Sequence, residues 1–250
     1  MRNLIAKKAF ENKEFMAYYQ PKVNLKTHKT VGAEALVRWF HDGNIVYPND
    51  FVPIFEANGF VVSLDFYILE CVCKDIKRWM EEGREHIIVS VNFSKLHLSD
   101  PLLVEKIVKI VDRYMIPHKY IEIEITESVF VNSNIDLIDL TKKLKKEKFS
   151  VSMDDFGSGY SSLNALKDIN VDVIKLDKDF FQKGRTSIKT KIILTNIINM
   201  ANELGLKIIC EGVETETQTK FLMDLNCYIV QGYYFSKPIP VEDFEKKFLS

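Results

Sequence analysis

Nine residues whose side chains bind cations or move protons stand at or near the ends of short apolar runs. They are Glu34 within Val31 to Val37, Asn92 after Ile87 to Val91, Glu124 in the run 121–125, and Asp154 and Asp155 after Val151-Ser152-Met153. Lys175 and Asp177 close Val171 to Leu176, Glu211 follows Ile208-Ile209-Cys210, and Gln231 follows Tyr228-Ile229-Val230. Nearly continuous apolar runs suit strands covered on both faces, and one acidic residue beside such a run is more often a cap or an ion-pair partner than a ligand. The repetition is what calls for chemistry. In Ile121-Glu122-Ile123-Glu124-Ile125, alternation puts both glutamates opposite the isoleucines. Glu122 lies deeper and is expected to pair with a buried base.

Carboxylates gathered in one pocket cannot all stay ionised without cations. One lysine, Lys175, is too little charge, whereas one or two hard divalent ions, Mg²⁺ or Mn²⁺, suit such an oxygen-rich set. The five histidines are scattered and the four cysteines do not cluster, which argues against zinc. The matching chemistry is phosphodiester hydrolysis by two metals, which needs no protein nucleophile. Gly157-Ser158-Gly159 is not a nucleophile elbow.

Positioning such a set requires many strands with their ends on one face. Strand-like runs begin near Phe15, Thr30, Ile87, Tyr120, Phe149, Val171, Lys207 and Tyr228, with amphipathic segments between most of them. The spacing predicts an α/β fold, a modified TIM (β/α)8 barrel. Only about six residues (Asn24 to Lys29) separate the first two runs, too few for a parallel crossover, so the first strand is expected antiparallel in a hairpin. Helix boundaries are marked by Asp100 as N-cap with Pro101 in the first turn, by a Thr215/Gln218 capping box, and by Gly83 and Gly205 at helix exits. Phe51, Phe55, Leu69, Val72, Ile76 and Trp79 recur at helical spacing as core, and Lys142 to Lys146 suit a solvated helix end. Tyr233, Tyr234 and Phe235 read as core or rim packing. Residues 1–12 read as a helix or the remnant of an interdomain linker, and 13–250 as the barrel domain.

Length and composition agree. The 250 residues fit one barrel, and 46% hydrophobic with 28% charged residues excludes a disordered or collagen-like chain. A net charge of −1 lacks the field that a nucleic-acid polymer demands. No apolar run spans a membrane, no signal-peptide pattern opens the chain, and Cys71, Cys73, Cys210 and Cys227 read as reduced thiols, so a cytoplasmic domain is expected. A longer native protein carrying it is compatible with membrane anchoring elsewhere.

The ordered motifs resemble the EAL domain family: Glu34-Ala35-Leu36 with Val37-Arg38-Trp39, Val91-Asn92-Phe93-Ser94, Glu124-Ile125-Thr126-Glu127-Ser128, 154–160 (DDFGSGY), Lys175-Leu176-Asp177, Glu211-Gly212-Val213-Glu214 and 231–238 (QGYYFSKP), from about Phe15 to Pro240. The resemblance implies a barrel with one antiparallel strand that hydrolyses cyclic di-GMP to linear pGpG with Mg²⁺ or Mn²⁺. By position it implies Glu34, Asn92, Glu124 and Asp154 around one ion, and Asp154, Asp155 and Glu211 at the second, with Asp154 bridging. It further implies Lys175 orienting the attacking water, Glu211 as general base, and Gln231 supporting the water and metal shell. Gln20, Arg38, Asp177 and Glu214 match substrate-contact positions. Glu127 is implied to steady the loop Asp155 to Ser162, which in the family couples homodimerisation to catalysis. A sensor or cyclase-like domain is expected to precede such a unit in a longer chain. The departures are slight: Cys210 stands where a small residue is common, and Asn226 where glycine is common. The rival expectation is a receptor of the same fold that binds the dinucleotide without hydrolysing it and acts through a partner; a barrel phosphodiesterase for another nucleotide is a third.

Overall fold

The computed structural model describes residues 2–127, 134–157, 166–167, 169–180 and 187–249. The chain opens with helix α1 (Arg2–Glu11), which buries Ala6 and Ala9, and then strands β1 (Phe15–Asn24) and β2 (Thr30–His41) form an antiparallel hairpin, as their short connection requires. A short strand β3 (Asn44–Val46) folds back on β2 and leads into helices α2 (Pro48–Asn58) and α3 (Val61–Glu81). In the rest of the barrel strands alternate with helices, except between β6 and β7, where no helix lies among the described residues, an order whose crossovers are right-handed as a rule: β4 (Ile88–Asn92), α4 (Leu103–Arg113), β5 (Ile121–Thr126), α5 (Asn134–Lys146), β6 (Ser150–Phe156), β7 (Val173–Leu176), α6 (Ile188–Glu203), β8 (Lys207–Cys210), α7 (Glu216–Asp224) and β9 (Ile229–Val230). Strand β10 (Ile239–Pro240) and helix α8 (Val241–Phe248) end the fold.

The sheet closes on itself. Strands β2, β4, β5, β6, β7, β8 and β9 are joined in parallel, and β1 pairs antiparallel with both β2 and β9, giving a barrel of eight strands with β3 and β10 outside it. The modified barrel expected from the sequence is therefore observed, and the eight runs start within about two residues of their observed strands, the usual scatter of element boundaries. Both faces of the strands are covered: Ile121, Ile123 and Ile125 are buried, and so are Glu122 and Glu124 on the opposite face. The α3 stripe containing Leu69, Val72, Ile76 and Trp79 is buried, as are Phe51 and Phe55 of α2. Lys142 to Lys146 end α5, as expected.

Helix exits follow the glycine rule: Gly83 has φ +68° and Gly205 φ +71°. The Thr215/Gln218 capping box is present. Helix α4 begins at Leu103, two residues after the expected start, because Asp100 commits its side chain and its carbonyl to a turn, accepting from the backbone N–H of Leu102 and of Leu103 respectively. Asn226 adopts φ +61°, a left-handed conformation that asparagine tolerates better than most residues. No described helix is long and apolar enough to cross a membrane.

Candidate functional site

The C-terminal ends of the parallel strands deliver the predicted polar residues to one place. Lys175, on β7 and 1% exposed, stands at its centre, with its Nζ 2.7 Å from Glu124 Oε2, 2.7 Å from Glu211 Oε1, 3.0 Å from Asp154 Oδ1 and 3.4 Å from Glu34 Oε2. Four strands thus point carboxylates at one ammonium. Asn92 donates its Nδ2 to Glu34 Oε1 at 2.8 Å, which leaves its amide oxygen as an acceptor. Gln231 donates to Glu34 Oε2 at 2.6 Å and to Gln20 Oε1 at 2.9 Å, and Gln20 in turn donates to the Ser236 carbonyl at 3.0 Å.

The paired aspartates arrive by a local distortion. Consecutive strand residues ordinarily face opposite sides, but the β6–β7 register shifts between Met153 and Phe156, and Asp155 takes φ +57°. Oxygens of Asp154, Asp155 and Glu211 consequently lie within 4.8 Å of one another. Positive φ at a non-glycine residue costs about 1–3 kcal/mol and persists where the surroundings impose it.

Charge is unevenly held in this cluster. Burial pushes Glu211 up to about 8, Lys175 pulling against it and Asp154, Glu34 and Glu124 adding to the rise. Asp155 rises to about 6 through burial and the neighbouring Asp154 and Asp177. Burial also raises Glu34 and Asp154. Glu124 goes the other way, to about 2, because Lys175 and Lys22 together outweigh its burial. A set of buried carboxylates, most of them in surroundings that disfavour their charge, is what a cation would complete, and two observations fit it: the triad of oxygens from Asp154, Asp155 and Glu211, and the buried Gln231 Oε1, which has no hydrogen-bond partner among the described residues.

Arg38 lies on β2 in phase with Glu34; it is buried, its Nη1 donates to the Val37 carbonyl at 2.8 Å, and its guanidinium lies 5.7 Å from the ring centre of Tyr18 and 5.6 Å from that of Tyr47. A cavity of about 460 Å³ opens beside the cluster, lined by Glu34, Asn92, Asp154 and Asp155 on one side and by residues of α2 and α3, Pro48 and Val52 among them, on the other. That is room for part of a nucleotide. Asp177 follows β7 and its Oδ1 accepts from the Asp179 backbone N–H at 2.7 Å. Glu214 is exposed outside the cluster. Glu127 Oε2 accepts the Gly157 N–H at 2.8 Å, at the start of the loop expected to be steadied there; Ser158 to Ser162 lie outside the described residues.

The buried base foreseen for Glu122 is Lys22, which the sequence reading did not single out. Its Nζ lies 2.8 Å from Glu122 Oε1 and 3.1 Å from Glu124 Oε1. The available signal was its position on β1 two residues beyond Gln20, hence on the same face. Tyr233 and Tyr234 are 57% and 45% exposed, on the rim rather than in the core, while Phe235 packs against the core. The four cysteines are free thiols, with Cys210 Sγ and Cys227 Sγ 3.1 Å apart.

Comparison with known proteins gives the family. The family model described as EAL domain matches residues 5–238. The signaling protein YkoW of Bacillus subtilis is 33% identical over 246 residues, covering 98% of this chain and 31% of that protein. The cyclic di-GMP phosphodiesterase NbdA of Pseudomonas aeruginosa is 34% identical over 241 residues, 96% of this chain and 31% of that protein. The chain thus spans about a third of the length of these curated relatives. Among solved structures, the PaMucR phosphodiesterase in complex with c-di-GMP superposes with a TM-score of 0.90 at 30% identity, covering 98% of this chain and 100% of that one. By sequence and by fold, this chain belongs to the EAL domain family.

Proposed function

We propose that the chain is a metal-dependent phosphodiesterase that hydrolyses cyclic di-GMP to linear pGpG and so lowers this second messenger in bacterial signalling. The observation that carries the reading is the convergence of Glu34, Glu124, Asp154 and Glu211 on Lys175, with Asp155 turned in beside them. Glu34, Asn92, Glu124 and Asp154 would hold one Mg²⁺ or Mn²⁺, and Asp154, Asp155 and Glu211 a second. When bound, such ions supply Lewis acidity toward the scissile phosphodiester and toward water. Lys175, carrying its proton firmly among four carboxylates, donates a hydrogen bond that orients the attacking water. Glu211, 2.7 Å from Lys175, is the carboxylate that would accept a proton from that water. Arg38 presents a planar donor fork to a phosphate or guanine, while Gln20, Gln231, Asp177 and Glu214 complete the contacts to the dinucleotide.

The relatives support this substrate: NbdA is named a cyclic di-GMP phosphodiesterase, and PaMucR was solved with c-di-GMP. A homodimer is proposed through α6, where Ile188, Ile192 and Ile193 are 81%, 56% and 51% exposed on a helix that begins beyond β7. Residues 1–12 are proposed to link the barrel to a preceding sensor or cyclase-like domain, in keeping with the greater length of the relatives. The free thiols suit a cytoplasmic setting. Incubation with cyclic di-GMP and Mn²⁺, followed by chromatography, tests the reading: pGpG formed only without chelator is expected. Binding by calorimetry with no product under any metal condition would replace the enzyme with a receptor.

A further inference from the structure

The interior of the barrel holds a second buried ammonium below Lys175. Lys22 leaves β1 at a shift in the β1–β2 register, opposite Gly32, and is 3% exposed. A Cβ at position 32 would stand only 2.9 Å from the Ile88 carbonyl oxygen, and in ordinary contact, 3.5 Å, with Lys22 Cδ. Its Nζ donates to Ser90 Oγ at 2.8 Å, Glu122 Oε1 at 2.8 Å and Glu124 Oε1 at 3.1 Å, which uses all three of its protons. Glu124 is thereby clamped from both sides: Oε1 by Lys22 from below and Oε2 by Lys175 at 2.7 Å from the barrel mouth.

Neutralising Glu122 alone would need only one of these bonds. The bond to Glu124 does something else, because a donor on each oxygen restrains rotation of the carboxylate, and without Lys22 only the Lys175 contact on Oε2 would remain of the two. We infer that Lys22 is a positioning residue for the metal centre: by holding Glu124 Oε1 it fixes the aim of Glu124 Oε2 at the barrel mouth and so sets the affinity for the divalent ion there. The inference rests on the metal-dependent reading of the site and extends it to a residue below the ligands. Hydrogen-bond partners behind metal ligands are worth about 10–100-fold in metal affinity.

The test is Lys22→Met combined with Glu122→Gln, which removes the ammonium together with the charge it neutralises and leaves the net charge unchanged. Mn²⁺ alone is titrated calorimetrically into wild type, the double variant and Glu122→Gln, each with its fold checked by circular dichroism. The double variant is expected to bind Mn²⁺ about tenfold more weakly, and Glu122→Gln, which keeps the Lys22–Glu124 bond, to bind as wild type does. A folded double variant with wild-type Mn²⁺ affinity overturns the inference and leaves Lys22 as a partner of Glu122 only. If the double variant does not fold, ¹⁵N-lysine-labelled wild type decides: the Lys22 ammonium resonance is expected to move on addition of Mg²⁺, and a resonance that stays in place overturns the inference. Wild type that takes up no Mn²⁺ would overturn the metal-dependent reading, and the role of Lys22 with it.

Discussion

Asp154 and Asp155 are neighbours in one strand, yet both present a carboxylate oxygen to the same site, within 4.8 Å of each other and of Glu211. The positive φ of Asp155 and the shifted β6–β7 register make this possible. Asn tolerates that conformation better than Ala does. Asp155→Asn is therefore expected to keep wild-type thermal stability while losing about 2.7 kcal/mol of transition-state stabilisation, about 100-fold in kcat. Asp155→Ala is expected to lose the same activity and about 1–2 kcal/mol of stability as well. Steady-state kinetics beside thermal melts check both; equal melting temperatures for the two variants would contradict the strain argument.

Glu127, just past the end of β5, is tied to the loop after the aspartates by the hydrogen bond it accepts from the Gly157 N–H. A Cβ at Gly157, where φ is +94°, would stand 2.4 Å from the Phe180 ring. Glu127→Ala removes the acceptor of the Gly157 N–H and is expected to lower kcat/KM about tenfold, the equivalent of about 1.4 kcal/mol. Glu127→Gln keeps an acceptor oxygen and is expected to lose less. Identical losses in the two would show that charge rather than the hydrogen bond matters.

Metal uptake should release protons. With Glu211 near 8 and Asp155 near 6 in the metal-free protein, a cation must displace a proton from Glu211 at neutral pH, because ligands bind metals deprotonated. Below its pKa each such proton weakens affinity about tenfold per pH unit, so affinity is expected to rise from pH 6 toward 8 and to level off above. Calorimetry in two buffers of different ionisation enthalpy counts the protons released; an affinity flat between pH 6 and 8 would contradict the arrangement.

How much of this was legible beforehand depended on range. The strand starts, the hairpin and the cluster at the barrel mouth follow from local signals: apolar runs, a six-residue connection and polar residues at run ends. Lys22 was missed because its meaning lies in partners at Ser90, Glu122 and Glu124, far along the chain and brought near only when β1 closes the barrel. The turn of Asp155 into the site is a backbone event that residue types do not announce. Strands β3 and β10 are too short to show a pattern.

Stability and chemistry should separate at the C-terminal helix. Glu245, buried on α8, accepts from Trp79 Nε1 at 2.7 Å and pairs with Arg78. Glu245→Leu leaves the buried Trp79 N–H without an acceptor and is expected to cost about 3 kcal/mol, a fall in Tm of about 10 °C. Turnover at 25 °C is expected to be unchanged; a large loss of kcat in the folded variant would tie α8 to the site.

The central claim, that the acids at the barrel mouth hold the ions that hydrolyse cyclic di-GMP, is tested most directly by pairing wild type with Glu34→Ala in chelator-stripped buffer and following pGpG as Mg²⁺ or Mn²⁺ is added back. Metal-dependent pGpG formation by wild type and none by a folded Glu34→Ala is the predicted result. Normal turnover by Glu34→Ala, or product formed by wild type in excess chelator, would contradict it.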